Sequence, residues 1–362
     1  MSCVDAFIAA APGRGDAYGH SRSFLRDTRP PGHLMRRRDL LLAWTTLVLA
    51  GPAVAQPARK IRRIGTLGNV SPADPALRVV WDQFFAALRE HGWIEGENLV
   101  IEARWADGRP ERYPQLADEL VSLDLEVIVA LGGSPPTQLL KERTRTIPIV
   151  MAGVSHPVEA GFVASLARPG GNITGVTNQL SDLSLKNVEL MRELVPDLQR
   201  FGLLWEPDNA GSRLAAAEFQ EAAPRIGITF VSAPLRVLDD LPKAFDTLVR
   251  ERAQVVLIHS TPIASRQRDW ILAFAIEHRL PTLTPVDANM RGGYLVSYGP
   301  DWIVLYRRAA YYVDRILRGA APAELPVEQP TRFKLGINLQ TAKKIGIDVP
   351  PPLLARADEV VE

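Results

Sequence analysis

The 362-residue chain has little cysteine: Cys3 is its single copy, so no intrachain disulfide forms and no thiol is available elsewhere as nucleophile or metal ligand. Histidine is sparse as well. His91, His156, His259 and His278 are scattered without the two-ligand spacing of a zinc or iron site, which argues against a metal centre. The chain lacks the dinucleotide loop G-x-G-x-x-G after a strand, and it lacks the nucleophile elbow G-x-S-x-G. The stretch "ALGGSPPT" supplies a serine with no glycine two residues on. Carboxylates are plentiful but none stands in a recognisable catalytic setting, so no chemistry and no cofactor are called for. No basic stripe with interleaved aromatics is present, and the chain has 42 basic against 41 acidic residues. Nothing favours a nucleic-acid partner.

What is present begins with an export signal. Arg36, Arg37 and Arg38 precede an apolar run from Leu40 to Ala50, and Ala53-Val54-Ala55 forms a small-x-small cleavage pattern. That run is too short to span a bilayer, and no other segment approaches the ~18 apolar residues of a membrane helix. The expectation is a periplasmic protein, cleaved near Ala55, with no membrane insertion of the mature chain. Whether translation starts at Met1 or Met35, and whether export is by the general or the twin-arginine route, stay open. Removing the seven arginines and four aspartates of residues 1–55 leaves a net charge of −2.

From Arg62 onward, apolar strand patterns alternate with helical stripes. "RRIGTLG", "LVIEARWA", "LEVIVALGG" and "IPIVMAG" read as strands, and Leu77, Val80, Trp81, Phe84 and Leu88 make one helical face. Continuous apolar strands separated by helices indicate a parallel sheet covered on both faces. The glycine-rich stretch from Met151 to Thr177 is not a phosphate cradle. Its "PVEAGFVASLA" has helical spacing, "RPGG" reads as the exit of that helix with Gly170 and Gly171 turning the chain, and "NITGVT" reads as the next strand.

The pattern then restarts. "RFGLLWEPDNAG" echoes "RIGTLGNVSPAD", "VVLIHSTP" echoes "VIVALGGSP", and "LPTLTPVD" echoes "IPIVMAGV", in the same order. Three ordered echoes predict two Rossmann-like α/β lobes of similar topology with parallel sheets. The strand near Tyr294 and its helix are expected to return to the first lobe, and the last strand to join the second. The expected boundaries are 1–55 for extension and signal, 60–178 plus 290–320 for lobe one, and 179–289 plus 321–362 for lobe two. Three crossovers between lobes make a hinge above a cleft.

Ligands of open α/β sheets sit beyond the carboxyl ends of the strands. That rule selects Asn69, Ser71, Gly133, Ser134, Thr137, His156, Thr177 and Asn178 in the first lobe. In the second it selects Trp205, Glu206, Asn209, Ser260, Thr261 and Asp287, and the returning strand adds Tyr298. Ser134-Pro135 and Thr261-Pro262 stand just before helices, where each hydroxyl suits either an N-cap or a helix start that receives a ligand carboxylate. Asp287 and Glu206 are the carboxylates available to a ligand ammonium, or else turn residues. Trp205 and Tyr298 suit stacking on an aromatic ligand, or the core.

The blocks "HGWIEGENLVIEARWADGRPERYPQLADELV", "TIPIVMAGVSHPVEAGFVASLARPGGNITGVTN" and "YVDRILRGAAPAELPVEQPTRFKLGINLQTAKKIGIDVPPPLLARADEVVE" resemble the ABC-transporter substrate-binding proteins of the tryptophan/tyrosine-type group. The likeness runs over essentially all of Arg62 to Glu362. It implies a type I periplasmic-binding-protein fold and capture of a small solute, in some relatives an aromatic amino acid, for an ABC permease and its ATPase subunit. One departure stands out. Where this family often has aspartate before the proline of "DPV", this chain has His156 before Pro157. The rival readings are a ligand sensor reporting to a membrane receptor, which would share the binding chemistry, and a secreted α/β enzyme.

Overall fold

In the computed structural model the described residues are 60–69, 75–178, 183–259 and 261–362, all within the unit Arg59–Glu362. The signal segment, Ser71 and Ser260 lie outside them. In chain order the first half comprises β1 (Arg62–Gly68), α1 (Pro75–Glu90), β2 (Leu99–Trp105), α2 (Tyr113–Val121), β3 (Val127–Leu131), α3 (Ser134–Arg143), β4 (Ile149–Val154) and β5 (Ile173–Thr177). Its sheet is wholly parallel, in the order β2-β1-β3-β4-β5. The strands β3 (VIVAL) and β4 (IVMAGV) are buried along their whole length, as runs without a polar residue demand. On one face α1 buries Val80, Trp81, Phe84 and Leu88.

The second half continues with α4 (Ser184–Leu194), β6 (Arg200–Trp205), α5 (Ala210–Ala222), β7 (Thr229–Pro234), α6 (Leu241–Arg250), β8 (Val255–Ile258), α7 (Pro262–Arg266), α8 (Arg268–Glu277), β9 (Thr282–Thr284), α9 (Asp287–Arg291) and β10 (Val296–Pro300). Then come α10 (Trp302–Leu317), β11 (Phe333–Asn338), α11 (Leu339–Ile345), α12 (Pro351–Leu354) and β12 (Glu359–Val361). This sheet runs β12-β11-β10-β9-β8-β6-β7, and only the β10–β11 pair is antiparallel. Two α/β lobes with largely parallel sheets are the fold expected from the repeated pattern.

Two expectations are corrected. The strand after Tyr294 does not join the first sheet. As β10 it pairs with β9 and β11, placing Leu295 and Val296 in the core of the second lobe with Leu335 and Ile337. Only the following helix crosses over: α10 packs on α1, sharing a core with Trp81, Phe84 and Leu88. The second correction concerns Pro157 to Ala167, which form successive turns in place of a helix. His156 (φ 50°) and Gly161 (φ 71°) leave the helical region, and local bonds such as Gly161 N–H to Val158 O replace the helical ladder. The apolar spacing is still used, because Phe162 and Val163 are buried in the first lobe. Gly170 has the positive φ expected of a turn, 76°, whereas Gly171 does not.

Candidate functional site

A cavity enclosing about 910 Å³, counted with its solvent-connected mouth, lies between the carboxyl ends of the two sheets. The first lobe contributes Asn69 after β1, Gly132, Gly133 and Ser134 after β3, Ser155 after β4 and Asn178 after β5. From the second come Asn209 after β6, Ser212 on α5, His259 and Thr261 after β8, and Val286 after β9. A third, aromatic side is built by Trp81 of α1 with Trp302 and Tyr306 of α10.

On the first lobe, α3 opens with Pro135 and Pro136, and its N-cap Gly133 makes no side-chain cap bond. Ser134 is therefore the first residue of the helix and not its cap. Asn69 is nine-tenths buried, and its Oδ1 has no hydrogen-bond partner. The indole Nε1 of Trp81, also buried, lacks an acceptor; its ring meets Trp105 and Tyr306 edge-on at 4.7 and 5.1 Å between centroids. Asn178 acts as a brace. Its Oδ1 accepts from the Ser155 hydroxyl at 2.8 Å and its Nδ2 donates to Gly153 O at 2.9 Å, which ties the ends of β4 and β5 together.

The second-lobe wall is a linked network. Asn209 caps α5 by accepting from Ser212 N–H at 3.2 Å. The Ser212 hydroxyl accepts from Glu206 N–H at 3.1 Å and lies 3.3 Å from His259 Nδ1. Where that hydroxyl donates to Nδ1 the ring carries its own proton on Nε2, and where it accepts from Nδ1–H the proton is on Nδ1. Burial, with His156 nearby, lowers the imidazole pKa to about 4, so His259 is neutral at physiological pH. The Glu206 carboxylate accepts from Ile263 N–H at 3.0 Å and bonds the Thr261 hydroxyl, and burial pushes its pKa up to about 7.

Of the candidates named from sequence, Asn69, Gly133, Ser134, Asn178, Asn209 and Thr261 line the cavity. The other described ones stand elsewhere. Thr137 donates to Gly133 O at 3.0 Å, holding the start of α3. Thr177 is buried in β5. Glu206 is spent on α7, and Asp287 accepts from Ala288 N–H and pairs with Arg291 at 3.2 Å. Neither is among the residues that line the cavity. Trp205 donates to the Ser232 hydroxyl at 2.9 Å and packs on the core, and Tyr298 stacks on Phe333. His156 turns toward α5, where its Nδ1 is 3.5 Å from Glu218.

The family model described as "ABC transporter substrate binding protein" matches residues 70–361. The chain belongs to that family. It is 26% identical, over 277 residues, to a protein named tyrosine-binding protein from Clostridioides difficile (strain R20291); the match covers 75% of this chain and 77% of that one. It superposes with a TM-score of 0.76 on a conserved domain protein from Vibrio cholerae, at 28% identity, covering 83% of this chain and all of that one. An ABC domain from Streptococcus pneumonia in complex with L-Trp matches in fold, with TM-score 0.75, 23% identity and the same coverage. This substrate-binding protein thus has the two-lobe α/β architecture of periplasmic binding proteins. Its family consists of solute-binding proteins and not enzymes, with a small-molecule ligand and an ABC permease as partners. Among the described residues no helix is long and apolar enough to cross a membrane.

Several lining residues of the binding protein escaped the sequence reading. Helical spacing marks Trp81 as core, and in the structure it serves as core and wall at once. Trp302 and Tyr306 are a helical i, i+4 pair whose exposure to the cavity depends on where α10 docks. His259 precedes the selected Ser260 by one residue, and Ser212 is one turn into a helix, beyond the strand-end rule.

Proposed function

We propose that the chain is the solute-capturing component of an ABC importer, exported to the periplasm with cleavage near Ala55, and that it closes its lobes on an amino acid with an aromatic side chain. The observation that carries this reading is the pair of unpartnered buried groups facing one cavity, Asn69 Oδ1 and Trp81 Nε1, beside the uncapped start of α3. A buried acceptor and a buried donor without partners are costly unless a ligand meets them. The α-ammonium goes to Asn69 Oδ1. The carboxylate goes to the free N–H groups of Gly133 and Ser134, where the helix dipole favours an anion. The side chain lies along Trp81, Trp302 and Tyr306, with its π face or a phenol oxygen accepting from Trp81 Nε1–H. Relatives support the class: one is named for tyrosine and another was solved with L-Trp. The loaded protein then delivers its ligand to the permease.

The test is a thermal-shift series with tryptophan, tyrosine, phenylalanine and aliphatic amino acids, alongside sugars and organic acids. A ligand at a hundredfold excess over its dissociation constant stabilises the native state by about 2.7 kcal/mol. Replacing Asn69 by Ala removes one polar contact and is expected to weaken binding roughly tenfold. A shift confined to sugars or organic acids rejects the amino-acid ligand while keeping the transport role.

A further inference from the structure

The lobes also meet along one face of α5, at the cavity wall where the helix starts and away from the cavity further on. At the start of that helix, a Cβ added to Gly211 would lie 3.0 Å from Ser134 Oγ and 3.3 Å from Ser155 Cβ of the first lobe. Two turns further on, the first lobe's His156 reaches the same helix, with Nδ1 3.5 Å from Glu218 Oε1. The His156 side chain is only 6% exposed, although it follows a strand end and lines no part of the cavity. Its backbone sits at φ 50°, in the left-handed region that non-glycine residues seldom occupy. A strained backbone of this kind persists where surrounding contacts over-determine it. Here the strain turns an imidazole away from the ligand space and onto the opposite lobe.

We propose that His156 and Glu218 form a clasp that favours the closed arrangement of the lobes without touching the ligand. His156 is thus a positioning residue: it sets how long the cavity stays shut, and the groups lining the cavity set what enters. Glu218 remains 45% exposed, so the contact is of the modest kind measured for partly solvated pairs. A modest bias suits a carrier, since a clasp stronger than the ligand's own preference for the closed state would hold the protein shut empty.

The clasp rests on the reading that the lobes open and close. The test measures the distance distribution between two spin labels, one at an exposed position in each lobe, in full-length protein with Cys3 replaced by serine. Four proteins are compared without ligand and with L-tyrosine: the parent, His156→Asp, Glu218→Lys and the double variant. Aspartate tolerates a left-handed backbone, and Glu218 stands on a helix surface, so all four should fold. His156→Asp sets two carboxylates opposite each other, Glu218→Lys removes the acceptor, and the double variant restores opposite charges. Each single variant is expected to lower the closed-to-open ratio about two- to fivefold, and the double variant to recover it. Equal ratios in all four, or a double variant as open as the singles, overturn the clasp alone. A single unchanging distance in every protein and condition overturns lobe closure and the clasp together, whereas the thermal-shift series judges the ligand class independently.

Discussion

At the scale of single residues, the second-lobe wall holds two titratable groups that burial moves in opposite senses. Glu206 is raised to about 7, and His259 is lowered to about 4. For Glu206 the unfolded chain ionises first as pH rises, so the native state binds more protons and loses stability between about 4.5 and 7. For His259 the unfolded chain takes up a proton first as pH falls, so stability is lost on going down from about 6.5 to 4. Each effect is on the order of 3 kcal/mol at its limit, and between about 4.5 and 6.5 the two slopes cancel. Glu206→Gln is therefore expected to expose the histidine slope, giving a protein that melts progressively lower from pH 6.5 to 4.5 and higher than the parent at pH 8. His259→Gln should show the reverse trend. Melting curves across that range check both, and parallel profiles for all three proteins would discard the argument. Sequence alone gave no hint of this pairing. Glu206 and His259 lie more than fifty positions apart, and the link between them is the Ser212 hydroxyl, one turn into a helix. Strand-end position could select Asn69, Ser134 and Thr261, but not whether a carboxylate such as Glu206 points at the ligand or at its own helix.

At the scale of elements, Asp301 carries the passage from β10 in the second lobe to α10 on the first. Its Oδ1 caps α10 by accepting from Ile303 and Val304 N–H at 3.1 and 3.3 Å, and Lys334 pairs with its other oxygen at 3.0 Å. Its backbone N–H donates to Arg332 O at 2.9 Å, which joins two of the crossing segments. Asp301→Ala removes a cap worth about 1 kcal/mol and leaves a largely buried Lys334 unpaired, so a loss of about 2 kcal/mol is expected. Asp301→Asn, which keeps the cap acceptor, should lose less; chemical denaturation of the three proteins measures both. The alternation of strands and helices was legible because each apolar run buries in a sheet covered on both faces. Assignment to a sheet was not. "YLVSYG" would be buried equally well in either lobe, and its pairing with β9 on one side and antiparallel with β11 on the other, with Val296 opposite Ile337, settles it. The turns after His156 misled for a related reason, since apolar spacing reports which residues are buried and a folded loop can bury Phe162 and Val163 as a helix would.

At the scale of the whole molecule, folding and closing draw on different surfaces. Two buried clusters belong chiefly to each lobe, and Val286 and Ala288 are second-lobe residues that enter a cluster of the first, on the side of α1 and α10. Across the cavity the lobes touch through small groups, with Gly211 against Ser134 and Ser155. A large side chain at 211 should therefore oppose closure while leaving each lobe's core untouched. Gly211→Leu puts a branched side chain where a Cβ alone already meets Ser134 Oγ at 3.0 Å and Ser155 Cβ at 3.3 Å, so the first lobe must shift to admit it. With the first lobe drawn away from α5, the same side chain is expected to cost little. The expected result is a ligand-free melting temperature within a few degrees of the parent, affinity at least tenfold weaker, and no compaction in solution scattering when a ligand that compacts the parent is added. A variant that compacts like the parent would mean that the contact at Gly211 relaxes locally, and that closure is limited instead by the hinge segments around Asp301. Separating the two matters for a carrier: the free energy that a ligand contributes by touching both lobes is spent on closure, and the stability of the empty protein need not change for its affinity to be tuned.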